Sequence, residues 1–147
     1  MKILLIVPDN DSYIAAFPLG IAYIAAVCRE AGHEVNVYSQ DVYHYSEEHL
    51  INYLEKNSFD IIGTGSCGGY YQYRKMLKLA AAINQAKKEA KFVVGGHLVT
   101  PEAEFFIRKL AADYIVLGEG EETMKELLHS LAGGLSTTDI KGIAYLD

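Results

Sequence analysis

Between Phe59 and Tyr70 an apolar run, Phe59-Asp60-Ile61-Ile62-Gly63-Thr64, breaks into Gly65-Ser66-Cys67-Gly68-Gly69, and a long helical pattern follows. This succession constrains the fold more than any other stretch. A short, branched-chain run bounded by glycines reads as a strand buried on both faces, and such strands belong to parallel sheets. The same transition recurs at Phe92-Val93-Val94-Gly95-Gly96-His97 and at Tyr114-Ile115-Val116-Leu117-Gly118-Glu119-Gly120-Glu121. Three buried strands therefore end in three glycine loops. Parallel strands put those loops on one rim.

The remaining pattern fits around these units. Ile3–Val7 is a first buried strand, ended by Pro8, with a loop from Asp9 to Ser12. Pro18 suits a first helical turn. An apolar face through Leu19, Ile21, Ala22, Ile24, Ala25 and Cys28 runs to Glu30, and Gly32 is the stop. Glu34–Tyr38 alternates as a second strand, and Gln40–Tyr45 reads as a polar, aromatic loop. Ser46 caps a helix that runs to Asn57, with acids in its first turn. Asp60–Thr64 is the third strand and Tyr71–Ala90 the helix after it. Lys91–Val94 is the fourth strand. Thr100 caps the next helix, Pro101 takes its first position, and the helix ends near Leu110. Asp113–Leu117 is the fifth strand and Glu121–Leu131 the last helix, broken by Gly133-Gly134. Lys141–Leu146 is a candidate short strand at a sheet edge.

A regular β-α alternation with right-handed crossovers gives an α/β fold. The expected architecture is a doubly wound, flavodoxin-like or Rossmann-like parallel sheet of five strands, order 2-1-3-4-5, in a single domain over 1–147. Its switch point lies between the first and third strands, where ligands bind in such sheets.

Composition narrows the function classes. Half of the 147 residues are hydrophobic, enough for one full core. The net charge is -6 with no basic stripe, which argues against nucleic acid. Five apolar residues before Pro8 are too few for a signal peptide or a membrane span. Two cysteines, Cys28 and Cys67, without a C-x-x-C, build neither a zinc site nor an iron-sulfur cluster. They fit a reducing, cytoplasmic setting better than a disulfide.

The loops themselves admit a ligand's close approach at Gly65, Gly68, Gly69, Gly95 and Gly96, with Thr64 and Ser66 adding hydroxyls. Turn chemistry alone accounts for any one such loop; three on one rim favour binding. Gly65-Ser66-Cys67-Gly68-Gly69 is not G-x-G-x-x-G, and no phosphate-loop motif is present. A receiver domain fails because Thr64 replaces the acid at the third strand's end. A Cys67–His97 nucleophile–base pair is conceivable by type, but no third group is evident. No catalytic residue is assigned. Asp41, His44 and His49 are metal ligands by type, yet their spacing matches no strong pattern, and no metal site is assigned. His33 and His129 read as structural.

Taken together, Pro18–Ala26, Ala31-Gly32-His33-Glu34-Val35, Phe59–Gly63, Val94-Gly95-Gly96-His97 with Thr100-Pro101-Glu102, and Asp113–Thr123 carry a resemblance. The chain resembles the N-terminal cobalamin (B12)-binding domain of the B12-dependent radical S-adenosylmethionine enzymes, the class of the anaerobic magnesium-protoporphyrin ester cyclase. The resemblance implies a corrin resting on the rim and a nucleotide tail in the crevice beside the sheet. Carried over by position, the cofactor-binding set is Thr64, Ser66, Gly69, Gly95, Gly96, His97, Gly118, Glu119 and Gly120, with apolar contact from Tyr70. Gly95→Val or Gly96→Val is then expected to weaken cobalamin binding by steric exclusion while leaving the fold largely intact.

Two departures qualify the resemblance. The cobalt-ligating D-x-H-x-x-G of other cobalamin domains is replaced by Asp9-Asn10-Asp11-Ser12-Tyr13-Ile14, so no histidine ligand is expected from that loop. The C-x-x-x-C-x-x-C of a radical cluster is also absent. The 4Fe-4S cluster and S-adenosylmethionine would therefore belong to a radical SAM domain downstream or in a partner subunit. The implied activity is methyl transfer or cyclisation by the complete enzyme, with this domain not catalytic alone. The competing readings are a flavin- or nucleotide-binding flavodoxin-like domain and a non-catalytic interaction domain.

Overall fold

The computed structural model describes residues 1–11 and 18–146. Strand β1 (Lys2–Val7) leads to helix α1 (Leu19–Glu30), β2 (Glu34–Ser39), the short helix α2 (Gln40–Tyr43) and α3 (Glu47–Lys56). Then come β3 (Ile61–Gly65), α4 (Tyr70–Ala86), β4 (Lys91–Gly95), a 3-10 turn (Thr100–Glu102) and α5 (Ala103–Leu110). The chain closes with β5 (Tyr114–Val116), α6 (Glu121–Gly133) and β6 (Ile143–Ala144). The sheet order is β2-β1-β3-β4-β5-β6. The first five strands are parallel as expected, and the edge strand β6 pairs antiparallel with β5.

Strand alternation divides the core in two. Leu4, Ile6, Ile62, Phe92, Val94 and Ile115 face one side, against Leu50, Leu54, Met76, Leu79, Ile83 and Ile107 of the helices α3, α4 and α5. Ile3, Leu5, Ile61, Val93 and Val116 face the other, against Ala25 and Cys28 of α1 and Met124, Leu127 and Leu128 of α6. Both faces of the sheet are thus dry at its central strands β1, β3 and β4, which is why those strands read as apolar runs, while the edge strand β2 alternates and is partly exposed.

Register then places the loops. Ile6 lies opposite Thr64, Gly65 opposite Gly95, and Val94 opposite Ile115. The carboxyl ends of β1, β3, β4 and β5 therefore form one edge.

Four local expectations need correction. Gln40–Tyr43 is helical, not loop: the Ser39 hydroxyl accepts from Val42 N, and Gln40 and Asp41 are buried. Helix α4 ends at Ala86, not Ala90, because Lys88 turns left-handed (φ 54°) to deliver the chain to β4. Helix α5 starts at Ala103, and the Thr100 hydroxyl caps nothing. Strand β5 is shorter than expected, Tyr114–Val116. By contrast, the Ser46 hydroxyl caps α3 by accepting from His49 N, as the sequence indicates.

Candidate functional site

The three glycine loops are one bonded structure. Ser66 N donates to Gly95 O (3.4 Å), and Leu98 N donates back to Ser66 O (3.2 Å). Gly96 O accepts from Val99 N and Thr100 N, both at 3.3 Å, and from Thr100 Oγ1 at 3.0 Å. Thr100 Oγ1 in turn accepts from Gly118 N at 3.3 Å. The close approach requires glycine at position 96: its φ is +94°, and a Cβ there would sit 2.6 Å from Ser66 O. Gly68 and Gly118 are different. A Cβ on either would meet nothing within 4 Å, so both border open space on the rim.

Eight of the nine sequence-predicted residues lie along this rim. Gly69, His97, Gly118 and Glu119 are exposed; Ser66, Gly95, Gly96 and Gly120 are half-buried. Tyr70, 75% exposed, begins α4 beside Gly69. Thr64 departs from the expectation. It is buried, and its hydroxyl donates to Ile6 O at 2.9 Å. That bond ties β3 to β1 at the switch point, so the hydroxyl is not a free donor for a ligand.

At the switch point, on the loop that follows β1, stands an ionic cluster that the sequence did not announce. Lys75 Nζ of α4 lies 3.2 Å from Asp9 Oδ2 and 3.1 Å from Asp11 Oδ1. His44 Nδ1 lies 3.1 Å from Asp9 Oδ1, and Asn10 N donates to Asp41 Oδ1 at 2.7 Å. Burial pushes the Asp9 carboxyl up, but the Asp11 amide, His44 and Lys75 outweigh it and hold the group below its ordinary value. Burial lowers Lys75 too, yet its two aspartates win and raise it. The Tyr71 ring lies 5.6 Å from the Lys75 ammonium. Tyr71 and Lys75 are one helical turn apart, the one sequence signal that could have found this group.

Asp9, Asp11 and His44 offer ligand atoms within 4.8 Å of one another. The ammonium of Lys75 already serves both carboxylates, so the cluster reads as a brace between the β1 loop, α2 and α4. The Asp41, His44 and His49 grouping suggested by residue type does not form. His44 pairs with Asp9, Asp41 accepts from Asn10, and His49 shares a 2.6 Å hydrogen bond with the Tyr38 hydroxyl. Ser12, Tyr13 and Ile14, the rest of the stretch compared with D-x-H-x-x-G, lie outside the described residues.

Chemically, the rim offers backbone amides and carbonyls, with the side chains of Ser66, Tyr70, His97 and Glu119, around open glycines. That suits a broad, flat, amide-rich ligand, whose ring can approach backbone where side chains would stand off. Among the described residues, no helix is long and apolar enough to cross a membrane.

The comparisons with known proteins agree with this geometry. The family model for the B12 binding domain matches residues 10–128. An uncharacterized methyltransferase of Pyrococcus horikoshii, PH0819, is 33% identical over 99% of this chain. The match covers 32% of that protein, so the chain spans about a third of this curated relative's length. The radical S-adenosylmethionine methyltransferase TsrM of Kitasatospora setae, solved with cobalamin and a 4Fe-4S cluster bound, superposes with a TM-score of 0.85. That match is at 20% identity and covers 98% of this chain and 27% of that one. The cobalamin-dependent S-adenosylmethionine radical enzyme OxsB, with aqua-cobalamin bound, gives 0.81 at 21% identity over 99% of this chain and 21% of that one. At such identities the two structures speak for the fold. With the family model matched across most of its length, the chain belongs to the B12-binding domain family.

Proposed function

We propose that the chain is the cobalamin-binding module of a radical SAM enzyme, holding the corrin on the rim formed by the loops after β3, β4 and β5. The observation that carries this is the bonded rim itself: three loops fixed to one another, with open space above Gly68 and Gly118. Ser66, Gly69, Gly95, Gly96, His97, Gly118, Glu119 and Gly120 contact the cofactor from that rim, and Tyr70 adds an apolar wall. Thr64 contributes from beneath, by fixing β3 against β1. When bound, cobalamin supplies a cobalt able to carry a methyl group. The protein's part is to seat the ring and exclude water from one face. The β1 loop presents Asp9 and Asp11, both engaged by Lys75, and no histidine, so it gives cobalt no imidazole ligand.

Methyl transfer is proposed for the complete enzyme, together with a radical SAM domain that binds the cluster and S-adenosylmethionine, in the same full-length chain or in a separate subunit. The names of the methyltransferase relative and of TsrM support it. Cys28 and Cys67 are both free, which is consistent with a cytoplasmic setting. Purified protein passed over a sizing column with hydroxocobalamin is expected to co-elute with corrin absorbance near one equivalent. Retention of FMN instead would assign the crevice to a flavin. Retention of neither would leave an interaction domain and overturn the proposal.

A further inference from the structure

Among the described residues, the first two rim loops are joined backbone to backbone through Ser66, Gly95 and Leu98. The second and third are joined differently. Strands β4 and β5 share two register pairs, Val93 with Tyr114 and Val94 with Ile115, and β5 has three residues. Past Val116 the backbone turns to the far edge, where Leu117 N donates to Gly142 O. The link across the rim is the Thr100 side chain. Its hydroxyl donates to Gly96 O (3.0 Å) and accepts from Gly118 N (3.3 Å).

We propose that Thr100 is a positioning residue of the cofactor rim: its one hydroxyl sets the spacing between the Gly95-Gly96 loop and the Gly118-Glu119-Gly120 loop. The inference rests on the cobalamin reading for its ligand and on the two hydrogen bonds for its geometry. A hydroxyl serves both partners because it is donor and acceptor at once, which no aliphatic side chain of the same shape can be. Thr100 is free for this task because α5 begins at Ala103, where the hydroxyl caps no amide. Gly118 is where a loose loop would matter: it is exposed, left-handed (φ +65°), and adjoins the exposed Glu119. A rigid, broad ring touching both loops needs them at a fixed separation, and holding them there before binding lowers the ordering cost of association.

Thr100→Val keeps the shape and removes the hydroxyl. Gly96 O keeps its two backbone donors, Val99 N and the amide of residue 100, so the turn itself survives. Thr100→Ser keeps the hydroxyl. The first readout is amide exchange at Gly118, followed by NMR in corrin-free protein. It is expected to speed up about fivefold in Thr100→Val and to return to the wild-type rate in Thr100→Ser. The second is hydroxocobalamin affinity, expected to fall about tenfold in Thr100→Val and to stay within about twofold of wild type in Thr100→Ser. A urea midpoint for each variant reports the fold. Unchanged Gly118 exchange, or wild-type affinity in Thr100→Val, overturns the proposal. So does equal loss in both variants in step with lost stability, which is what a merely structural threonine gives. A wild-type protein that retains no corrin overturns the cobalamin reading and the ligand half of this one, while Gly118 exchange still decides the link itself.

Discussion

Gly68 and Gly96 stand on the same rim and have opposite duties. Gly96 is there for the protein: its left-handed backbone and the Ser66 carbonyl leave no room for a Cβ. Gly96→Val is therefore expected to cost at least about 3 kcal/mol in urea unfolding, through strain and displaced backbone. This corrects the sequence expectation that the substitution would spare the fold. Gly68 has open space and no left-handed backbone, so Gly68→Val is expected to leave stability within about 0.5 kcal/mol. It should nonetheless weaken hydroxocobalamin binding by about tenfold, because the valine enters the volume proposed for the ring. Wild-type affinity in Gly68→Val would remove the first loop from the platform. That glycines cluster at strand ends was legible in the sequence. Which of them serves the turn and which the open surface depends on atoms from a neighbouring loop. Thr64 shows the same limit: its type suggested a ligand donor, and the carbonyl of Ile6, 58 residues away, had already taken the hydroxyl.

Helix α4 shows what an element does beyond its residues. Near its start Lys75 braces the β1 loop at the rim; just past its end Lys87 Nζ lies 2.6 Å from Asp113 Oδ2 at the opposite edge of the sheet. Asp113 also accepts from Phe92 N at 2.8 Å and lies 3.4 Å from Lys91 Nζ, so one carboxylate gathers α4, β4 and β5. Burial pushes Asp113 up, but Lys87, the Phe92 amide and Lys91 prevail and hold it below the ordinary 3.8. A carboxyl depressed in the folded state stabilises fully above the unfolded value and loses that contribution as pH falls through the folded one. Asp113→Asn is thus expected to cost about 2 kcal/mol at pH 7, less as pH drops below about 4, and to leave corrin binding unchanged. Urea titrations at pH 7 and pH 3 check it; an equal cost at both would assign the effect to shape. The helix core was legible from its apolar spacing, its end was not. The pattern continues to Ala90, which is buried, while the backbone has already turned at Lys88 to reach β4. The four-residue α2 is shorter than the spacing that betrays a helix, so its Ser39 cap passed for loop.

At the scale of the whole molecule, a sheet covered on both faces leaves one functional edge. The two cysteines sample the two environments. Cys28 is fully buried between sheet and helices, and burial pushes its thiol up to about 11 against the opposing Arg29 charge. Cys67 is exposed on the rim beside Gly68. Alkylation by iodoacetamide, read by mass spectrometry, is expected at Cys67 in the native protein and at Cys28 on global unfolding. Hydroxocobalamin should slow the Cys67 reaction and leave Cys28 unaffected; an unprotected Cys67 in corrin-loaded protein would place the ring elsewhere. By itself the sequence determined the β-α alternation, the dry central strands and the common edge of the loops, because periodicity and crossover handedness are local and general, and it made the order 2-1-3-4-5 the default. It also determined the family, through spaced motifs. Only the tertiary structure decided that Thr100 links two loops instead of capping a helix, that Thr64 faces inward, and that Lys75 joins Asp9 and Asp11. Each of those rests on a hydrogen bond or ion pair between groups at least 18 residues apart, and which of several compatible partners a polar side chain takes is fixed by packing, not by its own segment.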